Sequence, residues 1–367
     1  MKISIIAFTD NGVKIANKLL NSLSKDDLDD INLTRCKKGA LSQWTEEHFS
    51  KSDALVFIGA IGIATRAIAP FIKSKTKDPA IVVVDELGHF SIPLLSGHIG
   101  GANELAIKIS EILFAIPVIT TATDINKVFA IDTWAKSQGL RILNPECIKL
   151  VSSKLLKGET IHIKTEYPIK GNLPENIKIN DLNEYDTNYD VKISHKDFEN
   201  ISVNNKDTLF NKYFENISVN NKDTLFNKDT LYLIPSIITV GIGCKKNIDF
   251  KTIEKSILNA LKKENCHVLS LNSIASIDKK ANEKGILEFS KKYDLPFKTY
   301  SAEELNSLKG DFTKSEFVKS VVKVDNVCER SAIIQSNGKL LRRKDKSEGE
   351  GVTIALAIKN PILSWEE

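Results

Sequence analysis

The sequence predicts an α/β protein with one α/β domain on either side of a polar middle segment. Runs of apolar residues, such as residues 54–58 (ALVFI) and 81–84 (IVVV), alternate with amphipathic stretches. Continuous apolar runs separated by helices are typical of a mainly parallel sheet flanked by helices. At 367 residues the chain is also too long for one ordinary hydrophobic core. We expect an N-terminal domain over residues 1–140, a variable middle region over 141–234 and a C-terminal α/β domain over 235–367.

The elements of the N-terminal domain follow from this alternation. Strands are predicted at residues 3–8, 54–58, 81–84 and 116–120, with a turn at residues 9–12 and a helix after that turn. The apolar run at residues 92–95 fits a further strand. Ligands of parallel sheets bind beyond the carboxyl ends of the strands. We therefore expect Gly59, Asp85 and Thr121 at one edge of the sheet, together with the loop that follows residue 95.

The middle of the chain is polar and contains a tandem duplication. The 15 residues at 198–212 (FENISVNNKDTLFNK) recur identically at 214–228. One additional copy is too little for a solenoid, which needs several stacked repeats. We interpret residues 198–228 as a recent duplication in a tolerant surface segment and assign it no function.

A second α/β unit begins near residue 235. Residues 237–244 predict a strand that runs into a glycine turn, and residues 249–264 have the apolar period of a helix. Further strand-like and helical stretches lead to a final buried strand at residues 352–358. Ser301 and Glu304 fit a capping box, in which both side chains accept hydrogen bonds from N–H groups at a helix start.

The composition argues against several classes of function. The net charge is only +4, and no stripe of Lys and Arg alternates with aromatic residues, so we expect no nucleic-acid partner. We expect no membrane partner either, because no apolar run is long enough to cross a bilayer and the first residues lack a signal-peptide pattern. The five cysteines include no CxxC pair, which favours a reducing cytoplasm over a disulfide framework or a structural zinc site.

The loop at residues 96–101 (SGHIGG) is the most informative part of the sequence. It places His98, which can transfer a proton near neutral pH, between glycines and directly before a predicted helix. Unpaired N–H groups and the helix dipole favour an anion at such a helix start. The candidate residues here are Ser96, Gly97, His98, Gly100, Gly101, Asn103 and Glu104. A glycine-rich turn with a surface histidine is the alternative interpretation.

Hydroxyl groups and a carboxylate follow the predicted strand at residues 116–120. Thr120, Thr121, Thr123 and Asp124 could bind a carboxylate or orient a water molecule. Thr and Asp are also favoured helix N-caps, so helix capping is the alternative.

Two further charged groups follow strands of the same domain. Arg66, close in sequence to Gly62, could bind a substrate carboxylate through two hydrogen bonds, or could simply be solvated. Asp85 and Glu86 could serve as an acid or a base, although adjacent acids at a strand end are more often solvated.

The C-terminal unit contributes fewer candidates. Gly241 and Gly243 stand in a GIGC string, Asn326 could cap a helix, and Glu329 and Arg330 could pair with each other or with a ligand. The nucleotide signatures GxGxxG and GxxxxGK[ST] are absent, as are GxSxG and HExxH.

Taken together, these motifs resemble those of the CbiG family, the cobalt-precorrin-5A hydrolases of anaerobic cobalamin biosynthesis. The matching strings are GIATR (62–66), LLSGHIGGANEL (94–105), PVITTATD (117–124), GIGC (241–244), VCERSA (327–332) and GVTIALA (351–357). The resemblance extends over nearly the whole chain and leaves out the duplicated segment.

This resemblance implies a fold and an activity. It implies an α/β N-terminal domain, a variable middle and an α/β C-terminal domain. It also implies opening of the δ-lactone of cobalt-precorrin-5A, with loss of the extruded meso carbon and its methyl group as acetaldehyde, to give cobalt-precorrin-5B. The cobalt belongs to the tetrapyrrole substrate, so no cofactor and no separate protein metal are implied.

Chemistry and motif position then suggest roles for the residues. We expect His98 to act as general acid or base, with Glu104 or Asp124 orienting either His98 or a water molecule and loop N–H groups stabilising an oxyanion. The residues expected to bind the substrate are Gly62, Arg66, Asp85, Ser96, Gly97, Gly100, Gly101, Asn103, Thr120, Thr121, Thr123, Gly241, Gly243, Glu329 and Arg330.

Two other functions remain open from the residues alone. The chain could be a non-catalytic corrinoid carrier that works with neighbouring pathway enzymes, a role that would suit the C-terminal unit. A weaker alternative is an enzyme of sugar or nucleotide phosphates that uses the same helix N-termini. The hydrolase hypothesis depends on His98 lying beside the cluster at residues 120–124 and facing a cleft.

Overall fold

The chain divides into two compact units. The computed structural model describes residues 1–23, 30–74, 77–98, 100–180, 189–196, 229–344 and 351–366. The duplicated segment, residues 198–228, lies outside the described residues. The first unit comprises residues 1–136 and 155–158, and the second comprises residues 137–154 and 159–367.

The first unit alternates strands and helices from its start. Its elements are β1 (Lys2–Ala7), α1 (Asp10–Leu23), β2 (Asp30–Arg35), α2 (Leu41–Phe49), β3 (Ala54–Ile58), α3 (Ile61–Ile68), β4 (Ala80–Val84), β5 (Phe90–Leu95), α4 (Ala102–Leu113), β6 (Ile116–Pro117), α5 (Ala122–Ile125) and α6 (Ile131–Ser137).

These strands form one six-stranded sheet in the order β2-β1-β3-β4-β5-β6. The apolar runs of β3 and β4 are buried along their whole length, because helices cover both faces of the sheet. On one face Leu19 of α1 and Ile109 of α4 pack in the core, and on the other Trp44 of α2 and Ile68 of α3 do so. The predicted mainly parallel sheet flanked by helices is therefore confirmed.

One strand pair departs from the parallel arrangement. β5 runs antiparallel to β4, with Val84 opposite Ser91 and Ile81 opposite Leu95, and β6 runs parallel to β5. The connection from β4 to β5 is a tight turn, which is too short for the crossover that a parallel pair needs. The Asp85 carboxylate holds this turn by accepting hydrogen bonds from the N–H groups of Leu87 and Phe90.

This reversal corrects the expected position of the loop. Gly59 and Asp85 follow β3 and β4 at one edge of the sheet, whereas the loop after β5 and Thr121 after β6 lie at the opposite edge. The expectation of one common edge was wrong because it assumed that the run at residues 92–95 is parallel to its neighbours.

Two local predictions in the first unit were also wrong. The predicted turn at residues 9–12 is the start of α1, where the Thr9 hydroxyl accepts a hydrogen bond from the Gly12 N–H group and so caps the helix. The predicted strand at residues 116–120 is only the two-residue β6, whose side chains are exposed at the sheet edge.

The second unit contains two larger sheets. Its elements are β7 (Leu140–Ile142), α7 (Ile148–Leu156), β8 (Ile161–Thr165), β9 (Ile169–Lys170), β10 (Ile177–Ile179), β11 (Val191–Ile193), β12 (Leu231–Pro235), β13 (Ile238–Cys244), α8 (Phe250–Lys263), β14 (Leu271–Ile277), α9 (Lys284–Tyr293), β15 (Phe297–Tyr300), α10 (Ala302–Ser307), α11 (Glu316–Val322), α12 (Val327–Ser336), β16 (Lys339–Arg342), β17 (Val352–Ile358) and β18 (Leu363–Ser364).

The sheets of the second unit are mixed. The first has the order β10-β8-β11-β12-β7, the second has the order β15-β14-β13-β17-β16, and β18 pairs with β9. In the second sheet β13, β14 and β15 are parallel, and β17 is antiparallel to both of its neighbours. A second, C-terminal α/β region is thus confirmed.

Local details of the second unit differ in part from the predictions. The capping box of Ser301 and Glu304 is present at the start of α10. The predicted glycine turn is wrong, since Gly241 and Gly243 lie inside β13 and pair with β17. Val268–Ser270 form a 3-10 turn, and β14 begins directly after it.

The remaining features concern membranes, thiols and metals. Within the part of the chain that the structure describes, no helix has the length and apolar character needed to cross a bilayer. The five cysteines form no disulfide with one another in the described part of the chain. Among the described residues, no group of three or more His, Cys, Asp or Glu side chains is arranged to hold a metal ion.

Candidate active site

The loop between β5 and α4 is folded tightly on itself. Ser96 and Gly101 have positive φ angles of 58° and 84°. A Cβ atom on Gly100 would lie 2.3 Å from the Ser96 Cβ, so this position requires glycine. The N–H groups of Gly101, Ala102 and Asn103 donate to the carbonyls of His98, Ser96 and Gly97. The expectation that N–H groups at this helix start are free for an oxyanion was therefore wrong for these three groups.

The histidine loop and the threonine-rich motif meet in the structure. His98 Nε2 lies 2.9 Å from Asp124 Oδ2 and 3.3 Å from the Thr123 hydroxyl. Asn103 Nδ2 donates to the same Asp124 oxygen over 2.7 Å and to the Thr121 hydroxyl over 3.0 Å. The tertiary structure thus brings the side chains of two motifs together in one polar cluster. His98 and Asp124 are 26 residues apart in the chain.

A second carboxylate beside His98 was not predicted from the sequence. Asp132 lies at the start of α6, and its Oδ2 atom is 3.7 Å from His98 Nδ1, which is ion-pair distance. Only 6% of Asp132 is exposed, and its other oxygen accepts a hydrogen bond from the Thr133 N–H group. The sequence does contain a signal for this residue, because Asp132 lies between the apolar residues Ile131 and Trp134. An acid buried in such a stretch usually has a charged partner, since an unpaired carboxylate is seldom buried.

These carboxylates change the acid–base properties of the imidazole. Interaction with Asp132 has the largest effect and, together with Asp124, raises the pKa of His98 to about 9 against the opposing effect of burial. Burial alone would raise the pKa of Asp132, but the interaction with His98 outweighs it and lowers that pKa. The raised pKa of His98 and the lowered pKa of Asp132 both favour the charged forms, an imidazolium beside a carboxylate.

Glu104 and Thr120 lie outside this group. The Glu104 side chain is exposed, and its Oε2 atom lies 3.9 Å from the position that a Cβ atom on Gly101 would take. Lys136 Nζ lies 3.8 Å from that same position. Thr120 precedes α5 in the chain, and its side chain is exposed. Of the two acids expected to orient His98, the geometry therefore favours Asp124.

Three predicted binding residues lie at the opposite edge of the sheet. Arg66 Nη1 would lie 3.5 Å from a Cβ atom on Gly62, so its exposed guanidinium folds back over the start of α3. Asp85 holds the turn between β4 and β5. The five residues of β4 separate this edge from the His98 loop by roughly 16 Å at 3.3 Å per residue.

Gly241 allows a helix to pack closely on its strand, whereas Gly243 lies against a side chain of the neighbouring strand β17. A Cβ atom on Gly241 would lie 1.8 Å from the Cys328 carbonyl oxygen, and one on Gly243 would lie 2.7 Å from the Thr353 hydroxyl. Only glycine at residue 241 therefore lets α12 approach β13 this closely.

Glu329 and Arg330 are bonded to the protein rather than to each other. Glu329 is fully buried and accepts hydrogen bonds from the N–H groups of Thr313 and Lys344 over 3.0 and 2.9 Å. The Arg330 guanidinium donates to Asp325 and to the carbonyls of Leu305 and Leu308. These contacts favour a structural role for both side chains. The predicted N-cap at Asn326 is confirmed, because its side chain accepts from the Glu329 N–H group.

Three family models match successive parts of the chain. "Cobalamin synthesis G N-terminal" matches residues 43–124, "Cobalamin biosynthesis central region" matches 129–235, and "Cobalamin synthesis G C-terminus" matches 238–357. The cobalt-precorrin-5A hydrolase of Salmonella typhimurium is 30% identical over 320 residues, covering 87% of this chain and 86% of the relative. This chain belongs to the CbiG family.

Two further proteins are similar over a larger share of the chain. The cobalt-precorrin-5A hydrolase of Priestia megaterium is 28% identical over 377 residues, covering 97% of this chain and 94% of the relative. A crystal structure of a cobalamin biosynthesis protein G homologue from Sulfolobus solfataricus is 27% identical, covers 97% of both chains and has a TM-score of 0.39.

The family matches divide the His98 group between two segments. His98, Asn103 and Asp124 fall in the N-terminal match, whereas Asp132 falls in the match to the central region. Glycine- and threonine-rich motifs mark the residues of the N-terminal match in the sequence. No such motif surrounds Asp132, so its place beside His98 was not predicted.

Proposed function

We propose that this chain hydrolyses cobalt-precorrin-5A, releasing acetaldehyde and giving cobalt-precorrin-5B. The observation that carries the proposal is the 30% identity, over most of both chains, to a relative named cobalt-precorrin-5A hydrolase. The cluster of polar side chains around His98 supports the proposal, because lactone opening and carbon–carbon cleavage both need proton transfers.

The proposed reaction balances with one water molecule. Water adds to the lactone carbonyl, and the ring C–O bond breaks to leave a carboxylate and an alcohol on the extruded carbon. The alcohol oxygen then becomes the carbonyl oxygen of acetaldehyde while the bond from the extruded carbon to the macrocycle breaks. The electron pair of that bond remains on the macrocycle, which takes up a proton.

We assign the proton transfers to His98. Its Nε2 atom has the Asp124 carboxylate at 2.9 Å, and this carboxylate is 37% exposed, so a substrate atom or a water can reach the same side of the ring. Asn103, together with Thr121 and Thr123, would orient the imidazole and the carboxylate. A positioned acid or base contributes about 10²–10⁴-fold to the rate.

The loop glycines and Arg66 are not assigned to proton transfer in this proposal. Gly97, Gly100 and Gly101, with Ser96, would shape the loop that presents His98. Arg66 stays a prediction, as a residue that could bind a peripheral carboxylate of the substrate away from the reacting bond.

We also propose the setting in which the reaction takes place. The enzyme would need no cofactor, because the cobalt arrives with the substrate. It would work in the cytoplasm and pass its unstable product to neighbouring enzymes of the pathway.

The test is anaerobic incubation of the purified full-length protein with cobalt-precorrin-5A, with acetaldehyde trapped as it forms. We expect release by the native protein and a loss of at least about 10²-fold in kcat for His98→Ala. His89→Ala, which alters an exposed histidine at the opposite edge, is the matched control and should retain activity. Binding of the substrate without acetaldehyde release would refute the hydrolase and favour a corrinoid carrier.

A further inference from the structure

The imidazole of His98 has a carboxylate at each ring nitrogen. Asp124 Oδ2 is 2.9 Å from Nε2, and Asp132 Oδ2 is 3.7 Å from Nδ1. The two acids come from different helices, α5 and α6, and differ in exposure: the side chain of Asp124 is 37% exposed and that of Asp132 only 8%. The ring itself is 14% exposed, so solvent weakens these interactions only in part.

This arrangement matches one protonation state of the ring. A neutral imidazole carries one N–H donor and one acceptor nitrogen, and an ionised carboxylate can only accept. A neutral ring would therefore turn a lone pair toward one of the two carboxylates. The doubly protonated ring has an N–H group for each of them, and its positive charge offsets the buried charge of Asp132.

We infer that Asp132 is a positioning residue that keeps His98 doubly protonated, so that His98 starts the reaction as a proton donor and not as a base. This inference rests on the proposed hydrolase function for its chemical step, and on the described geometry for the state of the ring.

The other charged groups near the loop do not reverse this assignment. Glu104 of α4 and Lys136 of α6 both lie near Gly101, with Oε2 and Nζ 3.9 and 3.8 Å from the position of a Cβ atom there. The shift of the His98 pKa is caused by Asp132, burial and Asp124. The carboxylates that face the ring nitrogens are those of Asp124 and Asp132.

A protonated His98 gives a closed cycle of proton transfers. The imidazolium Nε2–H group donates its proton to the lactone ring oxygen as the C–O bond breaks, and the two protons of the attacking water pass to solvent as the carboxylate forms. The ring, now neutral, takes the proton back from the alcohol when the C–C bond breaks and acetaldehyde forms. The macrocycle receives its proton from solvent, and His98 ends in its starting state.

The state of the ring can be measured without any substrate. Full-length protein labelled with ¹³C and ¹⁵N in its six histidines would be titrated by NMR, with the His98 signals assigned by their loss in His98→Gln. We expect His98 to titrate well above the ordinary histidine range and Asp132→Asn to lower its midpoint by at least about one pH unit. Asp132→Glu should restore part of this shift, and Glu111→Gln, an exposed acid on α4, should leave the midpoint unchanged.

A second measurement links this state to the reaction. The pH profile of kcat for acetaldehyde release should fall on its alkaline side as His98 loses its proton, and Asp132→Asn should move this limb to lower pH by the shift seen in the NMR titration. An effect on folding alone would lower the rate without moving the limb.

The two measurements separate the possible failures. A native His98 that titrates near pH 6.5, or a midpoint that Asp132→Asn and Asp132→Glu both leave in place, overturns the role of Asp132. A raised and Asp132-dependent midpoint in a protein that releases no acetaldehyde instead refutes the proposed function and with it the proton-donor step. Should Asp132→Asn fail to fold, the native titration and Asp132→Glu still decide the question.

Discussion

Asn103 Nδ2 donates a hydrogen bond to Asp124 Oδ2 over 2.7 Å, at the same oxygen that His98 Nε2 approaches. Asn103 belongs to the first turn of α4 and is only 7% exposed, so its amide is held by the helix. The carboxylate that contacts His98 is thus oriented by a rigid element of the fold. Catalytic groups depend on such support, because small errors in their position reduce the rate strongly.

Removing this amide should affect both activity and stability. We expect Asn103→Ala to lower kcat for acetaldehyde release by about 10-fold or more, because Asp124 and His98 lose a fixed orientation. The loss of two side-chain hydrogen bonds at a buried position should also lower the free energy of unfolding by about 1–3 kcal/mol. Kinetics and urea unfolding measure the two effects. Asn272→Ala, at an exposed asparagine of the second unit, is the control, and equal activity of both variants would contradict the role of Asn103.

The stability of the protein should depend on pH through His98. Its folded pKa of about 9 lies above the ordinary value of 6.5, so the folded state binds this proton more tightly than the unfolded chain does. The resulting stabilisation is fully present below pH 6.5 and is lost as the pH rises through 9. Allowing for the partial exposure of Asp124, we expect a loss of roughly 2 kcal/mol across this range.

Urea unfolding between pH 6 and pH 10 would measure this effect as the difference between the native protein and His98→Gln. The variant should lose less stability over the range, because it lacks the titrating ring. Parallel curves for the two proteins would show that the carboxylates do not stabilise the charged form.

Gly241 should be intolerant of any side chain. Gly241→Ala would bring a Cβ atom to 1.8 Å from the Cys328 carbonyl oxygen, so α12 would have to move away from β13. We expect a loss of about 3 kcal/mol or more in the free energy of unfolding, or failure to fold, as in strongly overpacked cores. Gly139→Ala is the comparison: it has a positive φ but no heavy atom within 4 Å, so it should cost only about 1 kcal/mol. Thermal unfolding that ranks the two variants in the reverse order would refute the packing role.

A substitution at Glu329 would test whether the VCERSA motif stabilises the fold or binds the substrate. Glu329→Gln replaces a carboxylate that accepts two backbone hydrogen bonds at a fully buried site. We expect a loss of about 1–3 kcal/mol in stability with KM for the substrate unchanged. Glu303→Gln, at an exposed acid of α10, controls for the loss of charge. A large rise in KM with native stability would instead support the original prediction that Glu329 binds the substrate.

Much of the fold could be predicted because burial leaves a periodic pattern in the sequence. The runs at β3 and β4 are apolar at every position, and both strands are buried on both faces. The direction of β5 is not encoded in that way, since a short apolar run fits either direction. The tight turn between Val84 and Phe90 was the available signal, because a parallel pair needs a longer crossover.

The sequence by itself determined the α/β class, the positions of the buried strands β1, β3 and β4 along the chain, the helix caps at Ser301 and Asn326, and the two motifs that carry His98 and Asp124. These features depend on residues close together in the chain, where period and turn chemistry act. Only the tertiary structure decided that the two motifs meet, that Asp132 joins them, and that Arg66 and Asp85 lie at the far edge. Ion pairs and hydrogen bonds need atoms within about 3–4 Å of each other, and such distances between residues far apart in the chain are set by the packing of strands and helices.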